Sequence, residues 1–173
     1  MQFKNSIRYT LIACLALFIT GCAGITPEKM KAEIANYQLP MLPSAGNAMI
    51  YVVRPASGGG MGAASLSIIG NWSDLTRFNV FLDNQEDASE MGYNRSSQYV
   101  YFAVQPGVHK IYSKAENWAE TEVDAKAGDI IFIQQKPAMG IIMARNDLSS
   151  LQDYEGKYHV KNLTLGTILK SEK

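Results

Sequence analysis

The chain reads as a mainly β protein: an antiparallel β-sandwich of about seven or eight short strands with a short C-terminal helix. Three observations predict it. Runs rich in β-branched and aromatic residues recur about every ten positions, as in all-β sandwiches. Gly, Pro and Asn residues that favour turns separate them. From Trp118 to Asp124 the residues alternate openly, with Ala119, Thr121 and Val123 on one side and Glu120, Glu122 and Asp124 on the other. That is the pattern of a strand with one buried and one solvated face.

In chain order, residues 1–21 read as a cleaved export signal. Lys4 and Arg8 stand in an acid-free start, and the apolar run 11–19 follows. The run is about half of the ~20 residues a spanning helix needs, so a cleaved peptide fits better than a retained anchor. Ile19-Thr20-Gly21-Cys22 resembles the lipobox of bacterial lipoproteins: a branched apolar residue, two small ones, then cysteine. The resemblance implies cleavage between Gly21 and Cys22, diacylglycerol on the Cys22 thiol and a fatty acyl chain, such as palmitate, on the new amino group. Cys14 ends a similar tetrad but has no apolar stretch ahead of it. Each buried methylene contributes about 0.8 kcal/mol, and two or more chains hold where one is marginal, so the expected product is anchored and does not span. Ala23 stands where the resemblance implies Asp for inner-membrane retention, so the outer membrane of the bacterial envelope is the expected address.

Residues 22–47 read as a lipidated N-terminus and tether with one or two helical turns. Thr26 suits an N-cap, Pro27 the first helical position, and Glu28 the positive end of the helix dipole. Met30, Ile34 and Tyr37 recur at helical spacing, and Pro40 and Pro43 end the pattern. The segment is expected to act as a spacer; a partner-binding amphipathic helix is the alternative.

Residues 48–173 form the expected β-sandwich domain. The run 49–53 is apolar and β-branched throughout, a strand buried on both faces. A glycine-rich loop over 57–62, a strand over 65–69 and a turn over 70–74 are expected next. A strand near Phe78 to Leu82 leads through the hairpin-type turn Asp83-Asn84 to a short return over 88–91. The segment 98–104 is the clearest strand, and Pro106-Gly107 turns it into a strand over 108–113. Lys126 to Asp129 reads as a turn before a central strand over 129–134. A strand over 140–144 and a helix over 153–163 complete the expectation. Asp153 is its expected cap, Tyr158, Val160 and Leu163 its apolar side, and Gly156 its weak point.

After cleavage, 14 basic residues face 16 acidic ones, a formal charge of minus two. A nucleic-acid partner is not expected, because phosphate binding needs a basic surface. Cys14 leaves with the signal and Cys22 carries lipid, so no disulfide is expected. His109 and His159 have no cysteine or second histidine at ligand spacing, and neither a metal site nor a cofactor is expected. A Ser-His-Asp site would have to be assembled from distant residues, since no G-x-S-x-G elbow occurs. The glycines between Gly58 and Gly62 lack the helix start and lysine of a phosphate cradle, and read as a loop. The nine tyrosines and six phenylalanines are dense over 78–112. On strands, such residues are more often core and cross-strand pairs than a glycan platform.

Arg54-Pro55, Leu82-Asp83-Asn84, Glu90-Met91-Gly92, Pro106-Gly107-x-His109 and Ala127-Gly128-Asp129 together resemble a group of envelope lipoproteins whose β domain is PEGA-like in appearance. The resemblance covers roughly residues 49–135. It implies a sandwich and no catalytic residue, and Asn84 replaces the glycine of its Leu-Asp-Gly turn. The expected function is that of a membrane-anchored envelope lipoprotein, non-enzymatic, whose sandwich binds or assembles with an envelope protein or peptidoglycan. Two alternatives stay open: a glycan- or peptidoglycan-binding module using Trp72, Trp118 or the aromatic strands, and a hydrolase built around His109 or His159.

Overall fold

The computed structural model describes residues 25–56, 76–138 and 145–172. The signal over 1–21, Cys22, the glycine-rich loop, the strands expected over 65–69 and 140–144, and the turn bearing Trp72 lie outside them. The described chain begins with helix α1 (Pro27–Ile34), followed by β1 (Ala48–Arg54), β2 (Phe78–Leu82) and a 3-10 turn over Asp87–Ser89. There follow β3 (Glu90–Asn94), β4 (Gln98–Val104), β5 (Gly107–Lys114), β6 (Trp118–Ala125), β7 (Ile130–Ala138) and β8 (Arg145–Ser150). Helix α2 (Asp153–Asn162) and the two-residue strands β9 (Thr164–Leu165) and β10 (Thr167–Ile168) end it.

The strands form two five-stranded sheets, ordered β8-β7-β1-β4-β9 and β10-β3-β2-β5-β6. The expected β-sandwich is therefore present, with a C-terminal helix. Most pairings are antiparallel, but β1–β7 and β4–β9 are parallel. The reason lies in β1 and β7 themselves. Parallel strands are normally covered on both faces and read as continuous apolar runs, as 49–53 and 130–133 do.

That double cover creates two cores. Between the sheets, Ile50, Val52, Phe102 and Ile133 meet Leu82, Met91 and Ile111. On the outer side of the first sheet, Met49, Tyr51, Val53, Tyr99 and Phe132 gather with Val160 of α2. Burying one such side chain contributes about 1.5–3 kcal/mol. Tyr37 and Leu39 join this second core, although residues 22–47 read as a spacer. Tyr51 clamps the same segment: its hydroxyl donates to the Met41 carbonyl at 2.6 Å and accepts from the Met41 amide at 3.0 Å. Lys161 of α2 donates to the Glu33 carbonyl, and Lys31 lies 4.8 Å from the centre of the Tyr154 ring. Residues 25–47 thus belong to the folded body.

Several local expectations need correction. Asp83, not Asn84, takes the left-handed conformation, with φ of 68°, which a short polar side chain tolerates. The connection after β2 is longer than a hairpin turn and contains the 3-10 turn. Gln152 rather than Asp153 caps α2: Glu155 accepts from the Gln152 amide at 2.9 Å, and Asp153 instead pairs with Lys157 at 2.9 Å. Strand β8 carries Arg145, Asn146 and Asp147, residues of low strand propensity, and exists because it lines the edge of β7. Thr26 caps α1 as expected, accepting from the Lys29 amide at 3.4 Å.

Candidate functional site

The strand directions bring particular chain segments to one end of the sandwich. β1 and β7 end there and β2 and β8 start there, so the connections 55–77 and 139–144 both leave and re-enter at that end. The turns at 95–97 and 115–117 lie at the same end.

At that end of the described strands sits a buried polar cluster. Arg54, at the last position of β1, is 1% exposed. Its Nη1 donates to the Thr76 carbonyl at 2.6 Å and the Asn94 carbonyl at 3.1 Å, and its guanidinium lies 3.6 Å from the centre of the Phe78 ring. A desolvated guanidinium over an aromatic face is held by cation–π attraction. Asn94 donates to the Val52 carbonyl and to Gln135 Oε1, both at 2.9 Å, and Gln135 Nε2 donates to Ser113 Oγ at 2.8 Å. Asn146 and Asn117 extend the cluster: the Asn146 amide donates to Asn117 Oδ1 at 2.8 Å, and Asn117 Nδ2 donates to the Asn146 carbonyl at 2.9 Å.

These bonds run from one sheet to the other. Asn94 and Ser113 belong to the second sheet, Gln135 and Val52 to the first. Burying polar groups without partners is costly, so a connected cluster fixes one register between the sheets. Its side chains hold the strand ends from which both connections spring. Asn94 also explains Gly166, since a Cβ there would stand 2.6 Å from Asn94 Oδ1.

At the opposite end, two motif pieces meet. His109 Nδ1 lies 2.9 Å from Asp83 Oδ1, and Nε2 lies 2.8 Å from the Gln105 carbonyl. The Asp83 amide in turn donates to the Lys110 carbonyl at 2.7 Å. Both ring nitrogens face acceptors, so the ring ties the 83–89 connection to the β4–β5 turn. A general base needs a nitrogen aimed at substrate, and His109 directs neither away from the fold. His159 sits on α2 beside the Tyr158 ring, with centroids 5.7 Å apart. Burial lowers its pKa below the usual imidazole value, against a smaller opposing effect of Glu155.

Trp118 begins β6 and is 37% exposed. Lys114 Nζ lies 5.0 Å from its ring centre, and the Phe81 ring is 5.1 Å away. The indole is already engaged by its neighbours, which weakens it as a sugar-stacking platform. Of the other strand aromatics, Phe102 belongs to the core between the sheets, Tyr51 stacks on Phe132 at 5.5 Å in the second core, and Phe78 is fully buried under the Arg54 guanidinium. Desolvation pushes the Tyr51, Tyr99 and Tyr37 phenols above their usual pKa, that of Tyr51 furthest. Beside them, Met41, Leu42, Tyr101 and Glu172 line a hollow of about 120 Å³. That is well below the ~300 Å³ at which small-molecule sites begin.

Among the described residues, no group of three His, Cys, Asp or Glu side chains converges on one point, and no helix is long and apolar enough to cross a membrane. Sequence reasoning missed the polar cluster. Asn94 and Ser113 sit at or beside a strand end, where a polar residue ordinarily reads as the start of a turn, and Gln135 lies just past the strand expected over 129–134, within a β7 that runs on to Ala138. Compared with known proteins, the chain matches no protein-family model and no curated protein.

Proposed function

We propose that the chain is a membrane-anchored envelope lipoprotein whose sandwich is a non-enzymatic binding or assembly domain, with its recognition surface at the polar end. One observation carries the choice of surface. The long connection 55–77 and the shorter one over 139–144 both spring from strand ends tied together by the Arg54, Asn94, Gln135 and Asn146 cluster. Surface connections on a rigid scaffold are where binding residues concentrate. The anchor rests on Ile19-Thr20-Gly21-Cys22, and the non-enzymatic reading draws support from His109, whose two nitrogens are engaged within the fold. The outer membrane and a peptidoglycan or envelope-protein partner follow from the same reading.

Two measurements test it. Cys22→Ser should abolish incorporation of labelled palmitate and release the domain from the membrane fraction; undiminished labelling contradicts the anchor. A photo-crosslinking amino acid in place of Arg95, at the polar end, should capture a discrete envelope component in cells, while one in place of Lys126, at the opposite end, should not. Equal capture at both positions, or none at either, counts against the proposed surface.

A further inference from the structure

We infer that the layer on the outer face of the first sheet, made by α2, by α1 packed against it and by the chain that follows α1, is a docking surface for a lipid bilayer, held there by a very short link to the anchor. The inference rests on lipidation of Cys22. Thr26, the N-cap of α1, stands four positions after Cys22. At 3.3–3.6 Å per extended residue, that link reaches at most about 14 Å. Were residues 22–47 a free spacer, the same arithmetic would allow roughly 90 Å. The difference comes entirely from the docking of residues 25–47.

That docking is held at several points. Tyr51 binds both backbone groups of Met41, Lys161 reaches the Glu33 carbonyl, and Tyr37 and Leu39 sit in the second core. Farther along, the Gly128 amide donates to the Asn47 carbonyl at 2.8 Å. The segment is therefore a strap fastened from its helix to the start of β1.

The strap layer also carries apolar groups turned outward. Met41 is 43% and Leu42 is 62% exposed, although neighbouring Tyr37 and Leu39 are tucked inward. Exposed apolar side chains beside a lipid anchor add burial in the acyl boundary to the pull of the lipid chains. The charges on α1 and α2 balance, four basic against four acidic, so headgroup attraction adds little. What sets the orientation is the anchor's position at one end of α1 and the apolar pair farther along the same layer. With the strap layer on the bilayer, the second sheet faces away from it.

The test uses the full-length, lipidated protein. Cys14 leaves with the signal and the Cys22 thiol is alkylated, so Leu42→Cys or Val108→Cys supplies the one free thiol for a fluorophore. Val108 is 64% exposed on β5, in the second sheet. Each labelled protein is placed in vesicles of phosphatidylethanolamine and phosphatidylglycerol containing a headgroup-nitroxide lipid. Quenching should be several-fold stronger at position 42 than at 108. Inserting a flexible glycine-serine stretch between Ala23 and Thr26 should bring the signal at 42 down towards that at 108. Equal quenching at both positions before the insertion, or a position-42 signal that the insertion leaves unchanged, overturns the inference. Palmitate incorporation, measured on the same samples, keeps failure of the anchor separate from failure of the docking.

Discussion

At Gly156, helix propensity and tertiary contact pull in opposite directions. Glycine inside a helix costs about 1 kcal/mol relative to alanine, so an isolated α2 would gain from Gly156→Ala. In the folded chain a Cβ at this position would stand 2.0 Å from Phe132 Cγ. Overpacking of that kind costs about 1–3 kcal/mol, and the expected outcome is a lower urea midpoint. A raised midpoint would mean that α2 can lift from the sheet. His159, three residues on, carries a prediction with a sign. Burial lowers its folded pKa below the usual imidazole value of 6.5, so between the two values the unfolded chain binds more protons. Stability from the neutral ring is present above the unfolded pKa and is lost as pH falls towards the folded one. Denaturation midpoints at pH 7.5 and 5.5 should drop more in the native chain than in His159→Gln; parallel drops would refute this.

The strap is the element whose behaviour depends most on a single side chain. Tyr51→Phe keeps the ring stacked on Phe132 but removes both hydrogen bonds to Met41. The expected loss is about 1 kcal/mol for each hydrogen bond. Amide exchange at Met41 should accelerate more than exchange in β4, because the strap opens before the sheet does. Equal acceleration in both would place the strap and the sheet in one opening unit. The helix at the head of this element was readable in the sequence, because capping by Thr26 and a proline at the first helical position are local chemistry. Its docking was not. Tyr37 and Leu39 look like any two apolar residues in a polar stretch, and only the aromatic floor of Tyr51 and Tyr99 gives them a place.

Across the molecule, the two cores share β1, which lies at the centre of its sheet between β7 and β4. A chain beginning at Ala48, where the sequence put the domain boundary, would uncover the aromatic floor of the second core. The expected result is a lower urea midpoint than that of the chain from Ile25, with the sheets' far-ultraviolet signature retained; equal midpoints would restore the spacer reading. The polar cluster acts at this scale too, since Asn94 and Gln135 join the sheets and so position every connection at that end.

The amino-acid order alone determined what depends on neighbours in sequence. The short strands, the cap of α1, the turn at Lys126 to Asp129 and the alternation in β6 all follow from local propensity and period. The sandwich followed from these by counting. Tertiary structure alone decided that β1 and β7 run parallel, that the chain after α1 packs on a sheet, and that Arg54, Asn94, Ser113, Gln135 and Asn146 converge. Each of these joins residues far apart in the chain, and such pairings depend on which surfaces are left to bury once the strands have formed.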